Sequence, residues 1–208
     1  LFMGSDPAIV EDTQYAGLRP LSKEEDYGFW LINALDDVQK AKDSSFAMYQ
    51  NVIDMNRKSP RRYVIQAHIN QAKQFDYKSG DTLAFIEKFD KLIKDRENRA
   101  YLDAIYHQKA LFYEAYEMKD HAVKNYNLSL RSRSQDIYLA ASNYRNLAEI
   151  HFYKAKYQDA GKYFDSTLVM LQPRTREYNA IKKKRENLDD VIKYEGIAQK
   201  NDSILNIL

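Results

Sequence analysis

The chain repeats itself at a spacing of 38 residues, and this recurrence limits what it can fold into more than any other feature. Tyr106, Ala110, Tyr113, Ala122, Tyr126 and Leu130 return as Tyr144, Ala148, His151, Ala160, Phe164 and Leu168. One period earlier the same places hold His68, Ala72, Phe75, Ala84, Lys88 and Leu92. A fixed period of this size marks stacked units, each too small to bury its apolar face alone. Within the last copy, Tyr144, Leu147, Ala148 and His151 share one face at helical spacing, and after a short break Tyr157, Ala160, Phe164 and Leu168 do the same. Each copy therefore reads as two helices. Such helices approach closely only where a small side chain lies at the crossing, so Ala148 and Ala160 are expected at the contact, with aromatics filling either side. The alternative is an ordinary helical bundle with chance self-similarity.

Composition supports an all-α reading. Six Gly and four Pro are too few for the many tight turns of a β-rich fold, and 30% charged residues suit long solvated helices. With 32 Lys+Arg against 30 Asp+Glu the charge is nearly balanced, which argues against a nucleic-acid partner. There is no cysteine, hence no disulfide framework and no thiolate metal site. No apolar run approaches the length that spans a bilayer. The 17 tyrosines are expected mainly as filler between helices, with some left to line a groove. Leu1 and the apolar ending Ile204–Leu208 suggest a piece of a longer chain, with any targeting signal or anchor outside it.

Along the chain, residues 1–21 read as an extended arm containing Pro7, Gly17 and Pro20. Residues 22–172 read as about four helix pairs, and 173–208 as a capping helix with a short terminal helix. Ser22-Lys-Glu-Glu25 has the form of a capping box. It predicts a helix to about Lys40, followed by a second from Ser45 to Arg57 with Phe46, Tyr49, Val52 and Ile53 turned inward. Ser59-Pro60 predicts a helix start with Ser as cap; that helix continues to about Tyr77. Ser79-Gly-Asp81 should end it and cap the next, Leu83–Lys94, which buries Leu83, Ile86, Phe89, Leu92 and Ile93. Two further hairpins are expected over 98–117 with 119–131 and over 135–154 with 157–171. The polar joint Arg131–Ser134 reads as solvated, or as an anion-contacting loop. After Pro173 a helix from Thr175 to Ala198, carrying Tyr178, Ile181, Leu188, Val191, Ile192 and Tyr194, should close the stack. A last turn should follow Gly196, capped by Asn201–Ser203.

No catalytic signature is present, and no cofactor or metal is implied. His68, His107, His121 and His151 lack a metal-ligand spacing, and His68 and His151 fall on core positions where a packed, hydrogen-bonded role is expected. Asp36-Asp37 and Asp189-Asp190 are helical neighbours about 100° apart, so neither pair clamps one ion. What remains is a surface. In a curved stack the first helix of each pair lines the inner side, which offers His107, Leu111 and Glu114 in one copy and Arg145, Glu149 and Phe152 in the next. Arg145 suits a partner carboxylate and Phe152 an apolar anchor; the bland alternative is that these are merely solvated. Lys182, Lys183, Lys184 and Arg185 form a basic cluster that is either the wet side of the cap or a contact for an acidic partner.

The order aromatic, Leu, small in Tyr144, Leu147 and Ala148, with Tyr157, Ala160 and Phe164 in the second helix and Pro173 at the close, resembles the tetratricopeptide repeat. That resemblance implies a right-handed superhelix of antiparallel helix pairs. Two departures stand out: Ala155 replaces the family's glycine, and the period is 38 where about 34 is usual, which predicts lengthened helices or a longer joint near Arg131–Gln135. The run Ile181–Leu205 and the Tyr-rich Tyr101–Leu130 also look like the SprE/PorW lipoproteins of Bacteroidota. This second resemblance implies a non-enzymatic, periplasmic, outer-membrane-associated scaffold of the type IX secretion and gliding motility machinery. Its partners would be other proteins of that complex, with the membrane reached only through an anchor outside this segment. A peptide-binding regulator or co-chaperone is the alternative.

Overall fold

A computed structural model describes residues 23–132 and 136–205, with side chains over 36–132 and 136–198. All regular structure among the described residues is helical. The elements are α1 (Lys23–Asp54), α2 (Arg61–Lys73), α3 (Thr82–Lys94), α4 (Leu102–Ala115), α5 (Lys119–Arg131), α6 (Ile137–Tyr153), α7 (Tyr157–Met170) and α8 (Arg176–Leu205), with short 3-10 turns at Asn56–Lys58 and Arg96–Tyr101. The chain divides into two compact units, Leu1–Ser45 and Phe46–Leu208. The expected arm over 1–21, the Ser22 cap, half of the Arg131–Ser134 joint and the last three residues lie outside the described residues.

The first difference from expectation is α1, a single helix of 32 residues where two were predicted. Ala41-Lys-Asp-Ser44 contains no Gly or Pro to break it. The Ser45 hydroxyl does not cap a new helix; it donates back to the Lys42 carbonyl at 2.8 Å. Gln39 donates to Asp43 one turn on, at 2.9 Å, across the proposed gap. Phe46, expected to face inward, is exposed, while Tyr49, Val52 and Ile53 are half-buried.

In the second unit the helix ends are set by identifiable groups. Pro60, with φ −52° and ψ 132°, is itself the residue before α2, so Ser59 sits one place too early to cap. Arg61 instead ties the start of α2 to the Arg96–Tyr101 turn, donating to Asn98 Oδ1 at 2.6 Å and Asp95 Oδ2 at 2.5 Å. α2 stops at Lys73, short of Tyr77, because Asp76 organises the following turn. Its carboxylate accepts from the Lys78 amide and the Ser79 hydroxyl, and its carbonyl accepts from the Gly80 amide at 2.8 Å. A Cβ on Gly80 would lie 2.4 Å from that carbonyl oxygen, so only glycine fits. Asp81 caps α3 as expected, accepting from the Ala84 amide at 3.0 Å.

The hairpins α4–α5 and α6–α7 match their predicted bounds closely and turn by the same device. Glu117 and Ala155 adopt left-handed φ of 56° and 55°. The next amides, Met118 and Lys156, each reach back to the carbonyls of Tyr113 and His151 at 2.9 Å. This is the Schellman closure, in which the left-handed place is normally glycine. The Ala155 departure is therefore local: alanine occupies the strained position and the turn survives.

The crossing-point expectation holds for Ala110, Ala122, Ala148 and Ala160, all fully buried. It fails for Ala84, which is exposed. The reason is a one-residue slip in α3. The sealed aromatic place is filled by Phe89, Tyr126 and Phe164, which stand 37 and 38 positions apart. Phe85, not Ala84, therefore turns into the core, and Leu83 is left 73% exposed. First helices keep the 38-residue register: Ala67, Ile105 and Asn143 are all buried, as are Gln71, Lys109 and Leu147.

Two apolar clusters result. The larger one gathers Ile65, Phe85, Phe89, Ile105, Phe112 and Tyr126 and reaches Leu147 and Ile150. Within it Phe85 stacks on Phe112, ring centres 3.9 Å apart and planes 9° off parallel, and Phe75 meets both edge-on. The second gathers Ala141, Ala148, Ala160, Phe164, Ile181 and Leu188. α6 supplies residues to both. α8 packs on α7 and begins at Thr175, whose hydroxyl accepts from the Tyr178 amide at 3.2 Å. Of its expected core residues Ile181 and Leu188 are buried and Tyr178 and Ile192 partly so, whereas Val191 and Tyr194 are exposed. α8 also runs on through Gly196 to Leu205 without the predicted break. One glycine costs a helix only about 1 kcal/mol, which its neighbours carry.

Candidate protein-binding groove

Two concavities within the second unit collect the residues singled out in the sequence. The larger, about 760 Å³, is walled by α2, α4 and the start of α6, with Gln66, Lys73, Asp103, His107, Leu111 and Leu139 around it. The smaller, about 400 Å³, lies among α6, α7 and α8, floored by Phe164 and Leu188 and rimmed by Glu149, Phe152, Lys184 and Val191.

His107 and Leu111 thus open on the larger groove. His107 is half-buried, and its Nδ1 lies 2.7 Å from Asn143 Oδ1. Burial, chiefly, holds its pKa below the ordinary histidine value; Lys73 and Arg145 add to this, while the Asn143 bond and Asp103 oppose it. Asn143 in turn donates to Ser129 Oγ at 2.7 Å, and Ser129 donates to the Asp103 carbonyl at 2.7 Å. Glu114, expected beside them, does not line this groove. Its carboxylate accepts from the hydroxyl of fully buried Tyr126, which also accepts from Asn146 at 2.9 Å. Burial and that carboxylate push the Tyr126 pKa up.

Four of the remaining predicted residues, Arg145, Glu149, Lys184 and Arg185, hold α8 in place. Arg145 donates to Glu177 at 2.5 Å, and Lys184 pairs with Glu149. Arg185 bonds Asp165 at 2.8 Å and Asp189 beside it. Lys182 pairs with Glu186 on its own helix at 3.7 Å, and Lys183 is exposed. The basic cluster is therefore split: two of its members fasten α8 to α6 and α7. Phe152, 41% exposed, meets Tyr153 and Tyr157 edge-on at the smaller pocket.

His68 and His151 differ from expectation. Each sits in the packing, but its Nδ1 is sealed from solvent with no hydrogen-bond partner. The polar spine Ser129–Asn143–His107 and the pairing of buried Lys109 with the more exposed Asp90 escaped the sequence reading. A signal existed for both: Asn143 and Lys109 are polar residues at places where other copies carry Ile105 and Leu147.

Comparison with known proteins corrects the resemblances drawn from sequence. No curated protein matches the chain. One protein-family model does, over residues 1–170, and it is neither the tetratricopeptide repeat nor the SprE/PorW lipoproteins. The small-and-aromatic pattern that prompted the first resemblance is what any closely packed helix pair requires, so it does not discriminate between families. The run Ile181–Leu205 that prompted the second lies beyond the matched region. The chain belongs to the family described as a protein of unknown function, DUF3500.

Proposed function

We propose that this chain is a non-enzymatic helical scaffold that binds other proteins along the face made by α2, α4 and α6. In this reading α4/α5 and α6/α7 are antiparallel pairs that follow α2 and α3 into a right-handed superhelix, and α8 closes the end. Short turns of three residues between α4 and α5 and between α6 and α7 support antiparallel neighbours. Contacts of α4 with both α2 and α6 support successive first helices lying side by side. The observation that carries the function is the groove itself, an opening of about 760 Å³ whose wall mixes apolar and polar groups. The periplasmic and secretion-machinery setting rested on the resemblance now corrected and does not enter the proposal.

The test is crosslinking and pull-down with the full chain, wild type against Gln66→Trp and Ala104→Arg, which fill the groove from α2 and from α4. Gln66 is exposed, so its variant folds normally. Capture of a folded partner by wild type and its loss in both variants is expected. Capture of one short free peptide would point to a peptide-binding regulator. Partner capture unchanged by both variants would refute the groove.

A further inference from the structure

Lys88 is half-buried and has no counter-charge among the described residues. The slip that turns Phe89 into the core leaves Lys88 beside it, where its Nζ donates to Gln71 Oε1 at 2.8 Å. That acceptor is fixed. Gln71 is buried, and its Nε2 protons go to the Phe46 carbonyl at 3.3 Å and to Gln50 Oε1 at 3.1 Å, so its oxygen must turn to Lys88. Gln71 is neutral. Burial holds the Lys88 pKa below the ordinary lysine value, and no carboxylate opposes it. Asp76 and Asp81 border a neighbouring pocket with Lys88, but their carboxylates accept from the Lys78 amide, the Ser79 hydroxyl and the Ala84 amide. The ammonium therefore keeps two protons without a partner among the described residues. A lysine is rarely drawn inward without an opposite charge.

Lys88 lines a cleft of about 390 Å³ between α2 and α3, with His68, Ala84, Glu87, Lys91 and Leu92. It shares no residue with the α2/α4/α6 groove. Its one carboxylate is already answered: Glu87 pairs with Lys91 one turn on, at 4.0 Å, and their charges cancel. His68 Nδ1 is sealed with no partner, and a proton there would be an orphaned buried N–H, a rarer arrangement than an idle lone pair. Neutral His68 therefore carries its proton on Nε2, which is not among the sealed atoms. The charges that act on His68 are Lys88 and Arg61, both positive, and Arg61 is held by Asp95 at 2.5 Å. What remains is one positive charge, a set of N–H donors, and apolar wall from Ala84 and Leu92. One uncompensated charge matches a monoanion and not a phosphate dianion. The apolar wall suits a methylene stem.

We propose that the α2/α3 cleft takes a single carboxylate, an aspartate or glutamate side chain of a partner polypeptide, between Lys88 Nζ and His68 Nε2–H. This site does not rest on the groove reading. The experiment uses the full chain, with ¹⁵N-histidine and ¹³Cε-lysine, at pH 7.5. Two-bond proton–nitrogen correlation reads the His68 tautomer. Propionate, N-acetylglutamate amide, inorganic phosphate and propylammonium are titrated in turn at equal ionic strength. The expected result is the Nε2–H tautomer, with Lys88 Cε and His68 Nε2 resonances that move with propionate and with the blocked glutamate and not with propylammonium. Lys88→Met, read at His68, should weaken propionate binding about tenfold. Should that variant fail to fold, Glu87→Gln gives the opposite sign. Glu87 is exposed, and its loss frees Lys91, so propionate should bind roughly two- to fivefold tighter. An Nδ1–H tautomer, phosphate bound more tightly than propionate, or a response to propionate without one to the blocked glutamate overturns the proposal. So does propionate binding that is unchanged in Lys88→Met or weakened in Glu87→Gln.

Discussion

Replacing Ala155 by glycine should stabilise this protein, although glycine in place of alanine usually does the opposite. Ala155 holds φ at 55°, where a Cβ crowds the following carbonyl at a cost of about 1–2 kcal/mol. Glycine removes that cost but adds freedom to the unfolded chain, worth about 0.4–1 kcal/mol against folding. The side chain is exposed, so no packing is lost, and both closing hydrogen bonds are main-chain, Ala155 to Phe152 at 3.0 Å and Lys156 to His151 at 2.9 Å. The net gain is about 0.5–1 kcal/mol. Glu117→Gly, at φ 56° in the preceding hairpin, should gain about as much. The two should add to about 1–2 kcal/mol, since neither Ala155 nor Glu117 takes part in the Lys154–Asp120 pair that links the two turns. The control is Ala180→Gly, an exposed interior position of α8, which should lose about 0.5–1 kcal/mol. Urea unfolding followed by far-UV circular dichroism at pH 7 measures the wild type and all four variants. If Ala155→Gly lowers the midpoint as Ala180→Gly does, the left-handed turn is not what joins α6 to α7.

Three other outcomes are expected. Phe112→Ala empties the centre of the aromatic cluster and should cost about 3–5 kcal/mol in the same assay, while Phe112→Leu, which keeps apolar volume but loses the ring stacking, should cost about 1–2 kcal/mol; a Phe112→Leu variant as stable as wild type would contradict the stacking. Asp90→Asn takes the counter-charge from the buried Lys109 ammonium and should cost about 1–2 kcal/mol, since the Asp90 carboxylate is 45% exposed and water screens the pair, whereas Lys109→Leu, the residue the next copy carries as Leu147, should be close to neutral. His68 is pushed from 6.5 to about 4, by burial first and then by Lys88 and Arg61, so the unfolded chain takes up the proton before the folded one. Its contribution is complete above about pH 6.5 and is lost as pH falls toward 4; unfolding midpoints at pH 7 and 4.5 should therefore lie closer together in His68→Gln, and an unchanged gap would rule the histidine out.

Residues 102–171 were the most legible part of the chain, because two copies there agree on where small and large side chains must fall. Helix ends, turns and the four sealed alanines follow from that agreement. The earlier part was less legible for a definite reason. A single residue lost between α2 and α3 rotates every side chain of α3 by about 100°, so Ala84 and Leu83 exchanged roles with Phe85, and one copy offers no second example to reveal it. α1 misled because a weak apolar pattern was read as a boundary where no breaker stands. Of the candidate site, register alone singled out His107 and Leu111, which line the larger concavity. What they do there was not legible. The proton on His107 is decided by Asn143, Ser129 and a carbonyl on another turn, and Arg145, Lys184 and Arg185 spend their charge on Glu177, Glu149 and Asp165, pairings between helices that no spacing announces.

Because α6 gives Leu147 and Ile150 to one apolar cluster and Ala141 and Ala148 to the other, no cut in the backbone separates the two cleanly. A fragment ending before Ile137 loses a wall of its own interior, and one beginning there carries two side chains meant for the piece left behind. Truncation libraries and split reporters built on this chain should therefore find that the fragment retaining α6 is the better behaved, and that its orphaned half regains order only when the two are mixed.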